Sequence, residues 1–203
     1  LDGAEYLGAP AAPVEFYHGK SRRFATPELA GLVRRAAQRV DERFPGTVLR
    51  VGDASARNGG RISGHRSHRS GRDVDFAFFV TDLAGAPIAG LPLARFDRFG
   101  VGMREEVACR FDDGRNWALV EALLRDEEAD VQWIFVSSGL KARLLSYGLA
   151  SGADPRLLDR AATVLHQPGD SAWHDDHFHV RIYCPRGGGH SHCRDLGPVW
   201  PWV

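Results

Sequence analysis

The chain lacks most of the features that would assign it a partner by bulk chemistry. Its 26 Lys and Arg are balanced by 26 Asp and Glu in 203 residues, so no excess charge argues for a polyanion such as nucleic acid. No apolar run reaches the length of a bilayer span, and Leu1-Asp2-Gly3 opens without a basic, apolar leader. Cysteine is scarce, with three residues and no Cys-x-x-Cys pair, which argues against a zinc finger or a thioredoxin-like redox motif. Ser171 lies in Gly169-Asp170-Ser171-Ala172-Trp173, without the second glycine of a nucleophile elbow, which argues against a serine hydrolase. Internal repeats and low-complexity tracts are also absent. What is present is 43% apolar residues, enough for one sizeable core and too few for two, so residues 1–203 read as one domain.

Local signals divide that domain into helices and strands. Thr26-Pro27-Glu28 offers an N-cap with proline at the first helical position, and Leu29, Leu32, Val33, Ala36, Val40 and Phe44 recur at helical spacing. A helix over residues 27–43 is predicted, ended by Pro45-Gly46. Strands are expected over 47–51, 74–80, 131–136 and 177–183, with further helices over 116–125, 140–147 and 155–165. Residues 1–25 read as an extended N-terminal arm, 81–114 as an irregular insertion beside a cleft, and 184–203 as a Gly- and Pro-rich tail. Helices mixed with strands that need not be parallel favour an α+β fold, a small, mainly antiparallel sheet with helices packed on one side. Cys184 and Cys193 bracket a Gly-rich loop that a disulfide can close, which favours an oxidising compartment. Free buried thiols, or a second metal site with His190 and His192, are the rival readings, and Cys109 is left over.

Candidate chemistry is concentrated in two segments. Five of the nine histidines, His65, His68, His174, His177 and His179, fall within residues 64–75 and 173–179. A zinc hydrolase needs three protein ligands and an open position for water, and two clusters together can supply them. Alternation along 74–80 puts Asp73 and Asp75 on one strand face and Val74, Phe76 and Phe78 on the other; the same rule groups His177, His179 and Arg181. A lone His-x-His is as often a satisfied surface or core pair, so the argument for a metal rests on the two clusters meeting. His68 and Asp75 can converge only if the loop between them folds back into the strand, a turn that Gly71 permits.

The segment Gly64-His65-Arg66-Ser67-His68-Arg69-Ser70-Gly71-Arg72-Asp73-Val74-Asp75 closely resembles the penicillin-insensitive murein endopeptidases. So do Pro168-Gly169-Asp170-Ser171 and Trp173-His174-Asp175-Asp176-His177-Phe178-His179-Val180-Arg181, and the likeness runs from about residue 16 to 184. That family falls in a wider zinc peptidase group with lysostaphin-like enzymes, D-Ala-D-Ala peptidases and the sonic hedgehog-like domain. The wider group shares only a His followed seven residues later by Asp, plus a later His-x-His. The resemblance implies one Zn2+ per chain, held by His68, Asp75 and His179, with His177 as the catalytic histidine beside the metal water and His174 as a further active-site position. It also implies peptidoglycan stem peptides as substrate, joined by D-alanyl to meso-diaminopimelyl amides, and a periplasmic location. His65, Arg66, Trp173 and Arg181 match the same segments as candidate substrate contacts; His65 and Arg66 are equally read as surface or second-layer residues and Trp173 as core packing.

In such a site the metal supplies hydroxide, His177 takes the water proton and returns it to the leaving amine, and Asp175 or Asp176 orients the imidazole. No glutamate lies in either cluster to act as the base. A zinc D,D-carboxypeptidase releasing terminal D-alanine would use the same metal chemistry, with Arg66, Arg69, Arg72 or Arg181 holding the terminal carboxylate. A zinc-stabilised cell-wall binding module is the non-catalytic alternative, and it would leave the extra histidines idle. An Arg-rich front half, thirteen Lys or Arg against six acids over residues 20–75, suits a nucleic-acid enzyme, but the matched motifs do not. The sequence sets no oligomeric state.

Overall fold

The structure, a computed structural model, describes residues 1, 3–8, 13–17, 19–88, 93–104, 106–169, 171–185 and 193–203. In chain order the first half contains β1 (Glu5–Tyr6), β2 (Val14–Phe16), β3 (Phe24–Ala25), α1 (Pro27–Arg43), β4 (Leu49–Val51), β5 (Asp73–Ala77) and β6 (Val80–Thr81). The second half contains β7 (Arg95–Phe96), β8 (Val101–Arg104), β9 (Val107–Phe111), α2 (Asp113–Leu124), β10 (Val131–Phe135), α3 (Ser138–Ala150), α4 (Pro155–Val164), β11 (Leu165–His166) and β12 (His177–Ile182). The helix α1 begins where the sequence places it, because the Thr26 side chain accepts a hydrogen bond from the Leu29 N–H and Pro27 needs no partner at the first position. It ends where Gly46 takes φ +83°, a left-handed turn.

The main sheet has six strands in the order β11-β10-β12-β5-β4-β2. The central pairs β10–β12, β12–β5 and β5–β4 are antiparallel, and the outer pairs β10–β11 and β2–β4 are parallel. Val74, Phe76, Phe178, Val180 and Ile134 point to the face that shares a buried core with Trp117, Leu119 and Leu144 of the helices. The opposite face carries the histidines and aspartates. This α+β arrangement is the expected one, with Asp75 and His179 directly opposite each other across β5 and β12.

Three local expectations are revised. The strand expected over 74–80 stops at Ala77, because the Phe79 backbone turns away: its N–H donates to Asn116 Oδ1 (3.0 Å), and its carbonyl accepts from Asn116 Nδ2 (2.8 Å). Residues 81–114 are not irregular throughout: β6, β9, β8 and β7 form a four-stranded antiparallel sheet. Its strands are two to five residues long, too short for a periodicity test, and Phe78, Phe96, Phe111 and Phe178 lock it to the core edge-to-face, with Phe78–Phe178 at 4.7 Å. Among the described residues of the arm, Val14–Phe16 is an edge strand of the main sheet, Glu5–Tyr6 pairs with Phe24–Ala25, and Lys20–Arg22 forms a 3-10 turn. Cys184 and Cys193 form a disulfide and Cys109 is a buried thiol; His190 and His192, of the rival metal reading, lie outside the described residues.

Candidate metal and catalytic centre

Sheet register builds the centre. Residues opposite one another on neighbouring strands share a face, so His166, Phe135, His179 and Asp75 form one rank across β11, β10, β12 and β5. Trp133, Arg181 and Asp73 form the next rank, two residues along. His68 comes from a loop outside the sheet. Gly71, at φ +75°, turns that loop into β5; its N–H donates to Ser55 Oγ (3.0 Å) and its carbonyl accepts from Thr26 N–H (2.8 Å).

Three acceptor atoms converge. His68 Nε2 lies 3.2 Å from both Asp75 Oδ1 and His179 Nδ1, and His179 Nδ1 lies 3.4 Å from Asp75 Oδ1. The partners on the far sides fix both tautomers. His68 Nδ1 donates to the Ala54 carbonyl at 2.8 Å, and His179 Nε2 donates to Asp73 Oδ1 at 2.8 Å, so the inward nitrogens carry lone pairs. Asp75 Oδ1 is buried without a hydrogen bond among the described residues. Lone pairs facing each other repel unless a cation or a proton sits between them. A zinc ion with bonds of about 2.0–2.1 Å in tetrahedral array would space its ligands by about 3.3–3.4 Å, which matches this triangle. His65, His68 and Asp75 form a second, overlapping group, with ligand atoms within 4.8 Å. It is looser: His65 Nδ1 is 4.0 Å from Asp75 Oδ2, and its Nε2 is bound to Asp53 at 2.9 Å.

The remaining histidines stand beside this triangle. His177 Nε2 lies 3.6 Å from Asp75 Oδ1, and its Nδ1 donates to Asp176 Oδ1 at 2.5 Å. Of the two aspartates expected to orient it, Asp176 does so. Asp175 instead serves through its carbonyl, which accepts from Phe96 N–H (2.8 Å) and ties the loop to the four-stranded sheet. The His174 ring sits 5.5 Å from that of His177 and 5.9 Å from that of His179. The loop carrying it is stapled by Gln167, whose Oε1 accepts the His174 N–H and whose Nε2 donates to the carbonyls of Pro168 and Ala172. An open cleft of ≈ 620 Å³ is lined by all of His65, Arg66, Trp173, His174, His177, His179 and Arg181. Trp173 is 69% exposed, which places it on the rim rather than in the core.

The electrostatics follow from this crowding. Burial opposes a charge on His68, but the adjacent Asp75 carboxylate outweighs it and raises the imidazole to about 9. Burial would also raise Asp75, and the facing imidazoles drive it well below the usual carboxylate range instead. Asp73 is likewise held low against its burial, by the His179 hydrogen bond and by the charges of His179 and Arg181. Burial, then the neighbouring His179 and His177, pushes His174 down to about 4, which keeps it neutral. His177 is raised despite burial because Asp176 and Asp75 favour its imidazolium.

Sequence reasoning missed most of the supporting layer. Asp53, which holds His65 and Arg22, falls in Val51-Gly52-Asp53, a stretch of the family likeness, but without an assigned role; Ala54, which fixes His68, and Gln167 carry no motif signal of their own. Asp73 shares the strand face of Asp75, as alternation groups them, but it sits behind His179 and accepts the proton of its far nitrogen. Ser171 is exposed on the cleft, and its hydroxyl donates to the Ala172 carbonyl.

Comparison with known proteins fits this geometry. The family described as penicillin-insensitive murein endopeptidase matches residues 3–200. The penicillin-insensitive murein endopeptidase of Klebsiella pneumoniae (strain 342) is 28% identical over 209 residues, covering 98% of this chain and 68% of its own length. Those of Yersinia pestis bv. Antiqua (strain Antiqua) and Haemophilus influenzae (strain ATCC 51907 / DSM 11121 / KW20 / Rd) are 30% and 29% identical, and cover 90% and 95% of this chain. The chain spans 62% and 64% of those two relatives.

Proposed function

Because the chain belongs to the penicillin-insensitive murein endopeptidase family, we propose that it hydrolyses the D-alanyl to meso-diaminopimelyl cross-link of peptidoglycan with one zinc ion held by His68, Asp75 and His179. The observation that carries the reading is the triangle of inward-facing lone pairs, backed on the far side by Asp73 and the Ala54 carbonyl. His65 is assigned to the substrate side of the site, because its imidazole is partly exposed and tied to Asp53.

A bound zinc ion supplies Lewis acidity, which activates water near neutral pH and polarises the scissile carbonyl. His177 is the proton carrier. Its Nδ1–H is anchored on Asp176, so Nε2 accepts the proton of the attacking water and then returns it to the leaving amine. His174, kept neutral, donates a ring N–H to the carbonyl oxygen as charge develops there. Arg66, Trp173 and Arg181 border the cleft and contact the stem peptides. No serine takes part, so a β-lactam finds no nucleophile to acylate. The Cys184–Cys193 disulfide and a cell-wall substrate both support a periplasmic location.

The test is digestion of defined cross-linked muropeptide dimers by zinc-loaded protein, with products resolved by mass. Conversion of dimers to monomers, abolished by a chelator and unaffected by penicillin, is the expected result. Release of free D-alanine with dimers left intact would replace the endopeptidase by a carboxypeptidase, and binding without turnover would leave a wall-binding module.

A further inference from the structure

We propose that Arg181 determines specificity by clamping a free carboxylate on the carbon that bears the scissile nitrogen of the substrate. This rests on the peptidase reading above and names the chemistry that the cleft selects. Arg181 follows His179 by two residues on β12, so it lies on the same face, about 6.5–7 Å along the strand. Its Nε donates to Asp73 Oδ1 at 2.8 Å, the same oxygen that accepts the His179 N–H, which couples the guanidinium rigidly to the metal rank. The guanidinium carbon lies 5.7 Å from the centre of the Phe135 ring, and that ring is 5.2 Å from the His179 ring. The arginine thus leans back toward the reacting centre instead of out to solvent.

Among the described residues only Nε of this guanidinium has a hydrogen-bond partner, and Arg181 lines the cleft. Its Nη groups are left to meet a ligand, in the fork geometry that a carboxylate fits. The spacing agrees with such a ligand. A carboxylate carbon attached beyond the amide nitrogen lies about 3–4 Å from the scissile carbonyl carbon, given ordinary bond lengths. A bidentate guanidinium–carboxylate pair adds about 4 Å between carbons, with N···O contacts of about 2.8 Å. The sum is about 7 Å, a reach that fits a guanidinium whose Nε shares Asp73 Oδ1 with the His179 ring. A cross-link to the D-centre of a diamino acid carries a carboxylate at that carbon; a link through an unsubstituted side-chain amine does not.

The experiment compares two cross-linked dimers, one with the carboxylate beside the scissile nitrogen free and one with it amidated, on zinc-loaded wild type, Arg181→Lys and Arg181→Gln. Wild type should cut the free acid with kcat/KM about 10–100-fold above the amide, the scale of charge-assisted hydrogen bonds. While zinc content holds, Arg181→Gln should lower kcat/KM on the free acid far more than on the amide, so that the preference collapses. Arg181→Lys, which keeps a charge for Asp73, should retain a small part of it and covers the case of a poorly folded glutamine variant. Equal rates on both dimers with wild type, or an equal loss on both in the variants, would overturn the proposal and leave Arg181 a support for Asp73. Failure of wild type to cut either dimer would overturn the peptidase reading instead. Binding of the amine-side product and its amide would then decide Arg181 separately, by whether wild type prefers the acid and Arg181→Gln does not.

Discussion

Asp73→Asn should weaken zinc binding without touching a proposed ligand. In the native protein one oxygen, Asp73 Oδ1, accepts both His179 Nε2–H and Arg181 Nε–H at 2.8 Å, inside a fully buried carboxylate. Asparagine keeps an oxygen there but removes the charge, which turns a charge-assisted bond into a neutral one of about half the strength. The His179 imidazole then becomes a poorer electron donor on its inward side. The new amide also places donors at the position of Oδ2, which has no hydrogen-bond partner among the described residues. Loss of such a carboxylate–histidine contact typically weakens a metal site about 10–100-fold, or about 1.4–2.7 kcal/mol. Competition against a calibrated chelator at fixed pH would measure it, with Asp53→Asn as the counterpart. Asp53 holds His65, so the two variants separate the candidate triads. Zinc affinity unchanged in Asp73→Asn but reduced in Asp53→Asn would refute the assignment of His179 and favour His65 as the third ligand.

Further outcomes follow from the same geometry. His177→Ala should lower kcat about 10²–10⁴-fold while zinc stoichiometry stays at one, and loss of the metal would reassign His177 as a ligand. Gln167→Ala should reduce turnover with zinc affinity retained, because it frees the loop bearing His174 and Trp173; faster proteolysis at that loop is the check. Reducing the Cys184–Cys193 bridge should cost up to about 2.7 kcal/mol in denaturant unfolding, the loop-closure value for a separation of 9 residues. Asp126 accepts Arg35 at 2.7 and 2.8 Å and two backbone N–H groups, and despite burial these hold its carboxyl below the usual range. Its contribution is therefore present above the unfolded carboxylate value, about 3.9, and lost as pH falls through the lower folded one. Asp126→Asn should destabilise the protein at neutral pH and converge with wild type in acid; a constant gap down to pH 2 would count against this.

The sequence exposes side chains that point at the reaction and hides those that hold them. Alternation along 74–80 and 177–183 was enough to put Asp73 with Asp75 and His177 with His179 and Arg181, because one buried face fixes the register of both strands. Periodicity could not reach the four-stranded sheet, whose strands are two to five residues long, or the tie from that sheet to a distant loop, Phe96 N–H to the Asp175 carbonyl. Nor could it show that the Ala54 carbonyl faces His68, since a backbone acceptor has no residue type to read. Asp73 falls between these cases. Its face was legible, but whether a carboxylate at that place binds the ion or the imidazole in front of it depends on which partner's atoms arrive first, and His179 from a strand a hundred residues later stands in the way. That same carboxylate then reaches Arg181 and joins the rank of the proposed metal ligands to the rank that carries Arg181. A substitution at Asp73 should therefore change metal affinity and acid-versus-amide preference together, whereas one at Arg181 should change the preference and leave metal affinity in place. The pattern of these two losses across one pair of variants tests the coupling directly.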